Sequence, residues 1–197
     1  MTEANKTKVK LTRSAKGIAA RRKSDSEGFR MISLAPSAKV ESKPLKSVCE
    51  KAMLRDCICG QAVGDALGVP YEFKSRDSFE CAGMDGHGTH DQPAGTWSDD
   101  TSMALAICDS YRELKRIDIN DIREKFVSWF RDGAYTCDGL FDIGNATAEA
   151  LRIGRGFAGE WDNGNGSLMR TIPLAFVDAT DDEIRAVSAI THAHPTS

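Results

Sequence analysis

Apolar residues recur every three or four positions through most of the chain after residue 47, a spacing typical of amphipathic helices. Between residues 120 and 131, for example, Ile122, Phe126 and Trp129 fall on one face. The alternation of apolar and polar residues that marks strands is almost absent. The pattern predicts an all-α fold with helices near residues 48–66, 99–115, 120–131, 145–153, 167–178 and 181–193.

Residues at the predicted helix ends support this assignment. Asn120 is placed to cap the third helix, and Gly133 lies just beyond its end. Thr180 followed by Glu183 forms a capping-box pattern at the start of the last helix. The segments between the helices are rich in Gly and Asp, so the candidate chemistry is concentrated in loops.

The first 47 residues differ from the rest in charge. They hold twelve Lys/Arg against four Asp/Glu and show no sustained hydrophobic period, which predicts a basic, disordered N-terminal arm before a folded domain at residues 48–197. This composition also resembles an organelle transit peptide. An upstream extension, with Met53 nearer the natural start, is a third interpretation, and the sequence does not decide between them.

The remaining residues are acidic, with twenty-five Asp/Glu against fourteen Lys/Arg, which argues against nucleic acid as a partner of the folded part. No stretch approaches the roughly 18 apolar residues of a membrane span. The six cysteines form no C-x-x-C pair, so we expect free, reduced thiols and a cytoplasmic location. The sequence is silent on oligomeric state.

The loop before the second predicted helix carries Ser98, Asp99 and Asp100 in succession. A hydroxyl and two acids at this place are typical of a helix start, and on this feature alone capping is favoured over metal binding. The same oxygens could also converge on a cation. Hard oxygen ligands without paired histidines or cysteines would favour Mg²⁺, Mn²⁺ or Ca²⁺ over zinc.

A glycine-rich segment, NGNGSLMR at 163–170, precedes the fifth predicted helix, whose free N–H groups could bind phosphate. It could equally be a flexible loop. The other candidate positions also have structural interpretations. Asp65 could end a turn, Glu72 could be a solvated acid, and Asp142 could be an N-cap. His192 and His194 could interact with the dipole of the helix that they follow.

Five segments in this order resemble the ADP-ribosylglycohydrolase family, which includes the enzyme that reactivates dinitrogenase reductase. They are GDALGVPYE (64–72), GTWSDDT (95–101), FDIGNAT (141–147), NGNGSLMR (163–170) and TH (191–192). Each is weak alone, whereas the ordered set is specific. The resemblance implies an all-α, orthogonal multi-helix fold and a binuclear Mg²⁺ or Mn²⁺ centre. It also implies hydrolysis of the bond between C1″ of ADP-ribose and an arginine, serine or related acceptor.

The resemblance also implies roles for individual residues. Ser98, Asp99 and Asp100 correspond to metal ligands, and Glu72 corresponds to an active-site glutamate that moves between open and closed positions in some members. Asp142 resembles the carboxylate that contacts the distal ribose. The remaining matches are a phosphate-binding turn and a histidine near the adenosine diphosphate moiety, at Asn165, Gly166, Ser167, Met169 and His192.

Family members usually continue further, with an Asp-x-Asp-Thr motif that completes the metal site, and this motif does not occur here. We therefore expect a C-terminally truncated, weakly active or inactive form of an enzyme that removes ADP-ribose from modified protein side chains. The expected partner is an ADP-ribosylated protein or an ADP-ribose-containing small molecule. A non-catalytic ADP-ribose or nucleotide-binding module and an inactive structural relative are the alternatives.

Overall fold

The computed structural model describes residues 48–197, with side chains from Met53 onward, so the predicted basic arm lies outside the described residues. Five α-helices form this part of the chain: α1 Val48–Gly68, α2 Asp99–Leu114, α3 Ile119–Asp132, α4 Asn145–Ile153 and α5 Asp181–Ala189. Short 3-10 helices lie at Val69–Tyr71, Gly88–His90, Leu168–Arg170 and Ile172–Phe176. Residues 48–197 contain no β-strand, only isolated bridges between residues 87 and 92 and between residues 157 and 192, which confirms the all-α prediction.

Helix α2 is the centre of the fold. It packs against α1, α3 and the 3-10 turns near residues 168–176. Met103 and Ile107 of α2 meet Phe126 and Trp129 of α3 in the core, and three of these four side chains are fully inaccessible to solvent. Burial of large apolar side chains of this kind contributes about 1.5–3 kcal/mol each. The apolar stripes predicted on these two helices are therefore the core.

The start of α3 differs from the prediction. Asp118, not Asn120, is the N-cap, because its carboxylate accepts the backbone N–H groups of Asn120 at 3.1 Å and Asp121 at 3.2 Å. The helix ends as predicted at Gly133, whose φ of 69° is the left-handed conformation that glycine favours. The capping box of Thr180 and Glu183 is also present at the start of α5.

The helix predicted over residues 167–178 is wrong. This segment forms two 3-10 turns instead, because Pro173 has no N–H to donate to the carbonyl four residues earlier. That carbonyl, on Met169, accepts a side-chain bond from Gln61 at 2.8 Å. The last helix also ends at Ala189, four residues before the predicted end at 193.

The cysteines whose side chains the structure describes are all free, in agreement with the prediction; they are Cys57, Cys59, Cys81, Cys108 and Cys137. The side chain of Cys49 lies outside the described residues. Among the helices within residues 48–197, none combines the length and apolar character that crossing a membrane requires.

Candidate active site

Asp65, near the end of α1, organises the first turn of α2. Its carboxylate accepts the backbone N–H and the hydroxyl of Ser98 at 3.0 and 2.7 Å, and those of Thr101 at 3.1 and 2.6 Å. Ser98 in turn caps α2 through its own hydroxyl, which accepts from the N–H of Asp100. A carboxylate with this many donors is fixed in place. Asp65 therefore positions Ser98 and Thr101, which flank Asp99 and Asp100.

Asp99 and Asp100 follow this cap. Asp99 is 8% exposed and Asp100 is half-buried. Ser98 and Asp99 lie together with Asp142 in one depression, whose wall includes Trp97. Trp97 is held by a hydrogen bond from its indole N–H to the carbonyl of Tyr135 at 3.0 Å. The loop before α2 and the loop before α4 therefore bring their acids to the same place.

Glu72 reaches this region from the turn after α1. Its Oε2 lies 2.5 Å from Nε2 of His90, and one ligand atom each from Glu72, His90 and Asp142 lie within 4.8 Å of one another. The structure thus brings Glu72 and Asp142 together. His90 is an addition that the sequence reasoning missed.

The turn at residues 88–90 packs against residues 70–72. Thr89 donates to the carbonyl of Glu72 at 2.6 Å. Gly88 has a φ of 67°, and a Cβ there would lie 2.2 Å from the carbonyl oxygen of Pro70. Only glycine fits this close approach. His90 is thereby held against Glu72, and its ring also contacts Phe141, the neighbour of Asp142, at a centroid distance of 5.4 Å.

The acids gathered at this site repel one another. Burial, together with the charges of Asp142, Asp100, Asp65 and Glu72, raises the pKa of Asp99 to about 7. Burial and the charges of Asp65 and Asp142 raise the pKa of Asp100 to about 6. The pKa of Glu72 is also raised, by burial first and by the charge of Asp142, although the hydrogen bond from His90 opposes the shift.

No lysine or arginine forms an ion pair with Asp99, Asp100 or Asp142 in the part of the chain that the structure describes. Converging carboxylates without a protein counter-ion are the ligand type that divalent cations with a preference for oxygen select. The acidic donor set therefore fits such a cation, and Ser98, Asp99 and Asp100 stay predicted ligands. Among the described residues, the group whose ligand atoms lie within 4.8 Å of one another is Glu72, His90 and Asp142.

Gln61 joins this acidic group to the glycine-rich segment. It lies one helical turn before Asp65 on α1, and its side-chain amide donates to the carbonyls of Asp100 at 3.0 Å and Met169 at 2.8 Å. The glycine-rich segment and the acids at the start of α2 are thus adjacent. The four-residue spacing from Gln61 to Asp65 was the only sequence signal for this bridge.

The glycine-rich segment wraps His192. A Cβ on Gly166 would lie 3.0 Å from both Cε1 and Nε2 of this ring, and one on Gly164 would lie 3.8 Å from Nε2. Ser167 is buried and accepts a hydrogen bond from Ser188 of α5 at 2.7 Å. The turn is therefore ordered against α5.

The remaining predicted residues of this segment are placed differently. Asn165 is exposed, and Met169 packs against the hydrophobic core. The segment runs into a 3-10 turn of three residues, so the expected phosphate site at an α-helix N-terminus is not formed there.

Arg170 is the largest feature that sequence reasoning missed. Its side chain is 0% exposed, and its guanidinium lies 4.7 Å from the centre of the Phe126 ring. Burial lowers the pKa of Arg170 to about 9, while the charge of Asp99 opposes the shift. Arg170 therefore remains cationic at neutral pH, and it lies close to both Asp99 and the glycine-rich segment.

The model of the family described as ADP-ribosylglycohydrolase matches residues 50–197. The chain belongs to the ADP-ribosylglycohydrolase family. This confirms the resemblance drawn from the five segments, and the matched residues begin within α1.

Individual relatives support the same family assignment. The chain is 40% identical over 129 residues to ADP-ribosylarginine hydrolase Tri1 of Pseudomonas putida, covering 61% of this chain and 35% of the relative. It is 31% identical over 154 residues to ADP-ribosyl-[dinitrogen reductase] glycohydrolase of Rhodospirillum rubrum, covering 70% and 50%. A solved ADP-ribosylglycohydrolase-related protein complex superposes with a TM-score of 0.61 at 30% identity, covering 75% and 51%. The chain spans between a third and a half of the length of these proteins.

Proposed function

We propose that this chain provides the first half of the active site of an ADP-ribosylglycohydrolase, an enzyme that removes ADP-ribose from modified side chains with the help of Mg²⁺ or Mn²⁺. The observation that carries the proposal is the group of mutually repelling acids at the start of α2. In the described part of the chain none of these acids forms an ion pair with a lysine or arginine, and they lie beside the glycine-rich turn around His192.

Ser98, Asp99 and Asp100 are the proposed ligands, with Asp142 close enough to share the charge. A bound divalent cation would supply Lewis acidity and a fixed orientation for sugar hydroxyls. Family members carry a second set of acids in an Asp-x-Asp-Thr motif, as the resemblance implies. A binuclear centre would need that second set, because two divalent cations require more anionic oxygens than these four residues provide.

Glu72 and Asp142 are the proposed pair of carboxyl groups at the scissile bond. Glycosidic hydrolysis commonly uses two carboxyl groups, one of which carries a proton while the other stabilises positive charge on the sugar. Burial favours the protonated form of Glu72, and His90 at 2.5 Å offers its Oε2 a partner for proton exchange. Asp142, on the other loop, would face the distal ribose.

The adenosine diphosphate moiety would lie along residues 163–170. Asn165, Gly166 and Ser167 would present backbone groups to the phosphates, with Met169 anchoring the turn in the core and His192 beneath it. Gln61 keeps this turn adjacent to Asp100, which matches a ligand with a diphosphate at one end and a ribose at the other.

Arginine is the proposed acceptor, because one relative is named an ADP-ribosylarginine hydrolase. An ADP-ribosylated protein is then the substrate. We further propose that residues 48–197 are the N-terminal part of the catalytic domain, that residues 1–47 are a separate arm, and that the protein acts in the cytoplasm.

The test is release of ADP-ribose from arginine-linked and serine-linked substrates, with and without Mg²⁺. It compares the 197-residue chain with the same chain extended by a relative's segment that carries Asp-x-Asp-Thr. We expect slight or no turnover by the chain alone and metal-dependent turnover by the extended chain. Binding of ADP-ribose without turnover in both proteins would favour a non-catalytic binding module. Absence of both binding and turnover would favour an inactive structural relative.

A further inference from the structure

Arg170, Thr191 and His192 form a buried chain of hydrogen bonds beneath the glycine-rich turn. Nη2 of Arg170 donates to Oγ1 of Thr191 at 2.8 Å, and the same oxygen lies 2.7 Å from Nδ1 of His192. Arg170, Thr191 and His192 are 0%, 1% and 6% exposed. Water therefore has little access to this chain.

The chemistry of the three groups fixes the direction of the bonds. A guanidinium only donates, so the hydroxyl of Thr191 must accept from Arg170. If Nδ1 of His192 also carried a proton, the hydroxyl would receive two donors. Its own proton would then point at no acceptor among the described residues. An unpaired buried donor is strongly disfavoured, so the hydroxyl donates to an unprotonated Nδ1.

We propose that Arg170 and Thr191 are positioning residues that hold His192 as the neutral tautomer with its proton on Nε2. This nitrogen then offers an N–H donor to an anionic oxygen bound at the glycine-rich turn. The tautomer follows from the hydrogen bonds alone. The identity of the oxygen as part of a diphosphate rests on the proposed function.

The surroundings support this arrangement. The guanidinium is held by the carbonyls of Val187 and Ser188, both at 3.3 Å, so its donor to Thr191 has a fixed direction. On the other side of the ring, Nε2 lies against Gly166 and has no hydrogen-bond partner in residues 53–197. Burial and the charge of Arg170 lower the pKa of His192, which keeps the imidazole neutral.

The first measurement is the tautomer itself, by two-bond ¹H–¹⁵N correlation spectra of the intact chain. The sequence has four histidines, and loss of one signal set in His192→Asn assigns the ring. We expect an unprotonated, hydrogen-bonded Nδ1 and a protonated Nε2 in the wild type. A protonated Nδ1 would overturn the proposal.

The second measurement separates positioning from simple packing. Thr191→Val keeps the shape but removes the hydroxyl, whereas Thr191→Ser keeps the hydroxyl. In the valine variant the Nδ1 resonance should move toward that of a free, unprotonated nitrogen, and the serine variant should restore the wild-type position. Thr171→Val is the matched control, because it removes a hydroxyl that, among residues 53–197, bonds to the carbonyl of Leu168 and not to His192. An Nδ1 resonance unchanged in Thr191→Val would contradict the inference.

Calorimetric titration with ADP-ribose gives the functional readout. Loss of one oriented hydrogen bond should weaken binding roughly fivefold to tenfold in Thr191→Val and leave Thr171→Val unchanged. If Thr191→Val shows the tautomer change but binds ADP-ribose as tightly as the wild type, the positioning role is wrong. If the wild type binds no ADP-ribose, the proposed function fails, while the spectra still decide the tautomer.

Discussion

Replacing Asp99 by asparagine should stabilise the metal-free protein at alkaline pH while removing its response to Mg²⁺. The side chain keeps its shape in Asp99→Asn but loses the charge that burial and four neighbouring acids oppose. A pKa raised from 3.8 to about 7 favours folding below pH 4, and that contribution is lost as the pH rises toward 7. The variant should therefore gain most above pH 7.

The size of the gain follows from the same shift. At about 1.36 kcal/mol per pKa unit, the ceiling is about 4 kcal/mol. Asp100, whose pKa is raised to about 6, shares the repulsion, so we expect about 2 kcal/mol in the free energy of unfolding at pH 8. For a chain of this size that corresponds to a rise of about 4–8 °C in Tm. At pH 5 the difference should be small.

The assay is thermal unfolding of both proteins with EDTA at pH 5 and pH 8, repeated with saturating Mg²⁺. Bound cation should raise the free energy of unfolding of the wild type by about 2.7 kcal/mol at a hundredfold excess over Kd, and so raise its Tm. The Tm of the variant should not change. Glu124→Gln, which removes an exposed carboxylate from α3, is the matched control and should change neither value. Equal pH dependence of wild type and Asp99→Asn would refute the reasoning.

Three further substitutions test other parts of the site. Asp65→Asn should lower the free energy of unfolding by about 1–3 kcal/mol in urea titrations, because an amide cannot accept all the donors of Ser98 and Thr101; an unchanged midpoint would contradict this. Gly166→Ala should weaken ADP-ribose binding in calorimetry because its Cβ would crowd His192, whereas Gly164→Ala, with ordinary contact at 3.8 Å, should not. Glu72→Gln should lower kcat of the extended chain by at least about 100-fold with unchanged circular dichroism, and retention of turnover would exclude its proton-transfer role.

The helices were predictable because their signals are local. The stripe of Ile122, Phe126 and Trp129 needs only a 3.6-residue period, and all three are buried as expected. The helix expected at 167–178 was wrong for a reason also visible in the sequence. Pro173 removes a donor, and apolar periodicity alone does not register that loss.

The site was predictable only in part. The motif residues Asp99, Asp142 and Glu72 meet as the ordered segments implied, although they are up to 70 residues apart. His90 and Arg170 could not be found in this way. His90 ends a short 3-10 turn whose position depends on one close contact at Gly88, and Arg170 is a charged residue in the core. Such long-range placements leave no periodic trace in the chain.

Because Ser98 and Thr101 donate to Asp65, the N-cap of α2 is held in place by a residue 33 positions earlier in the chain. If the chain were divided between α1 and α2, Asp65 would lose its hydrogen-bond donors, and Ser98 and Thr101 would lose their acceptor. The first turn of α2 would then fray, and Asp99 and Asp100 would no longer be held in a fixed position. Recombinant fragments designed to isolate the acidic site should therefore begin before Gln61. Directed recombination between family members should exchange residues 61–101 as one block. A crossover inside this block would combine Asp65 of one parent with the start of α2 from the other.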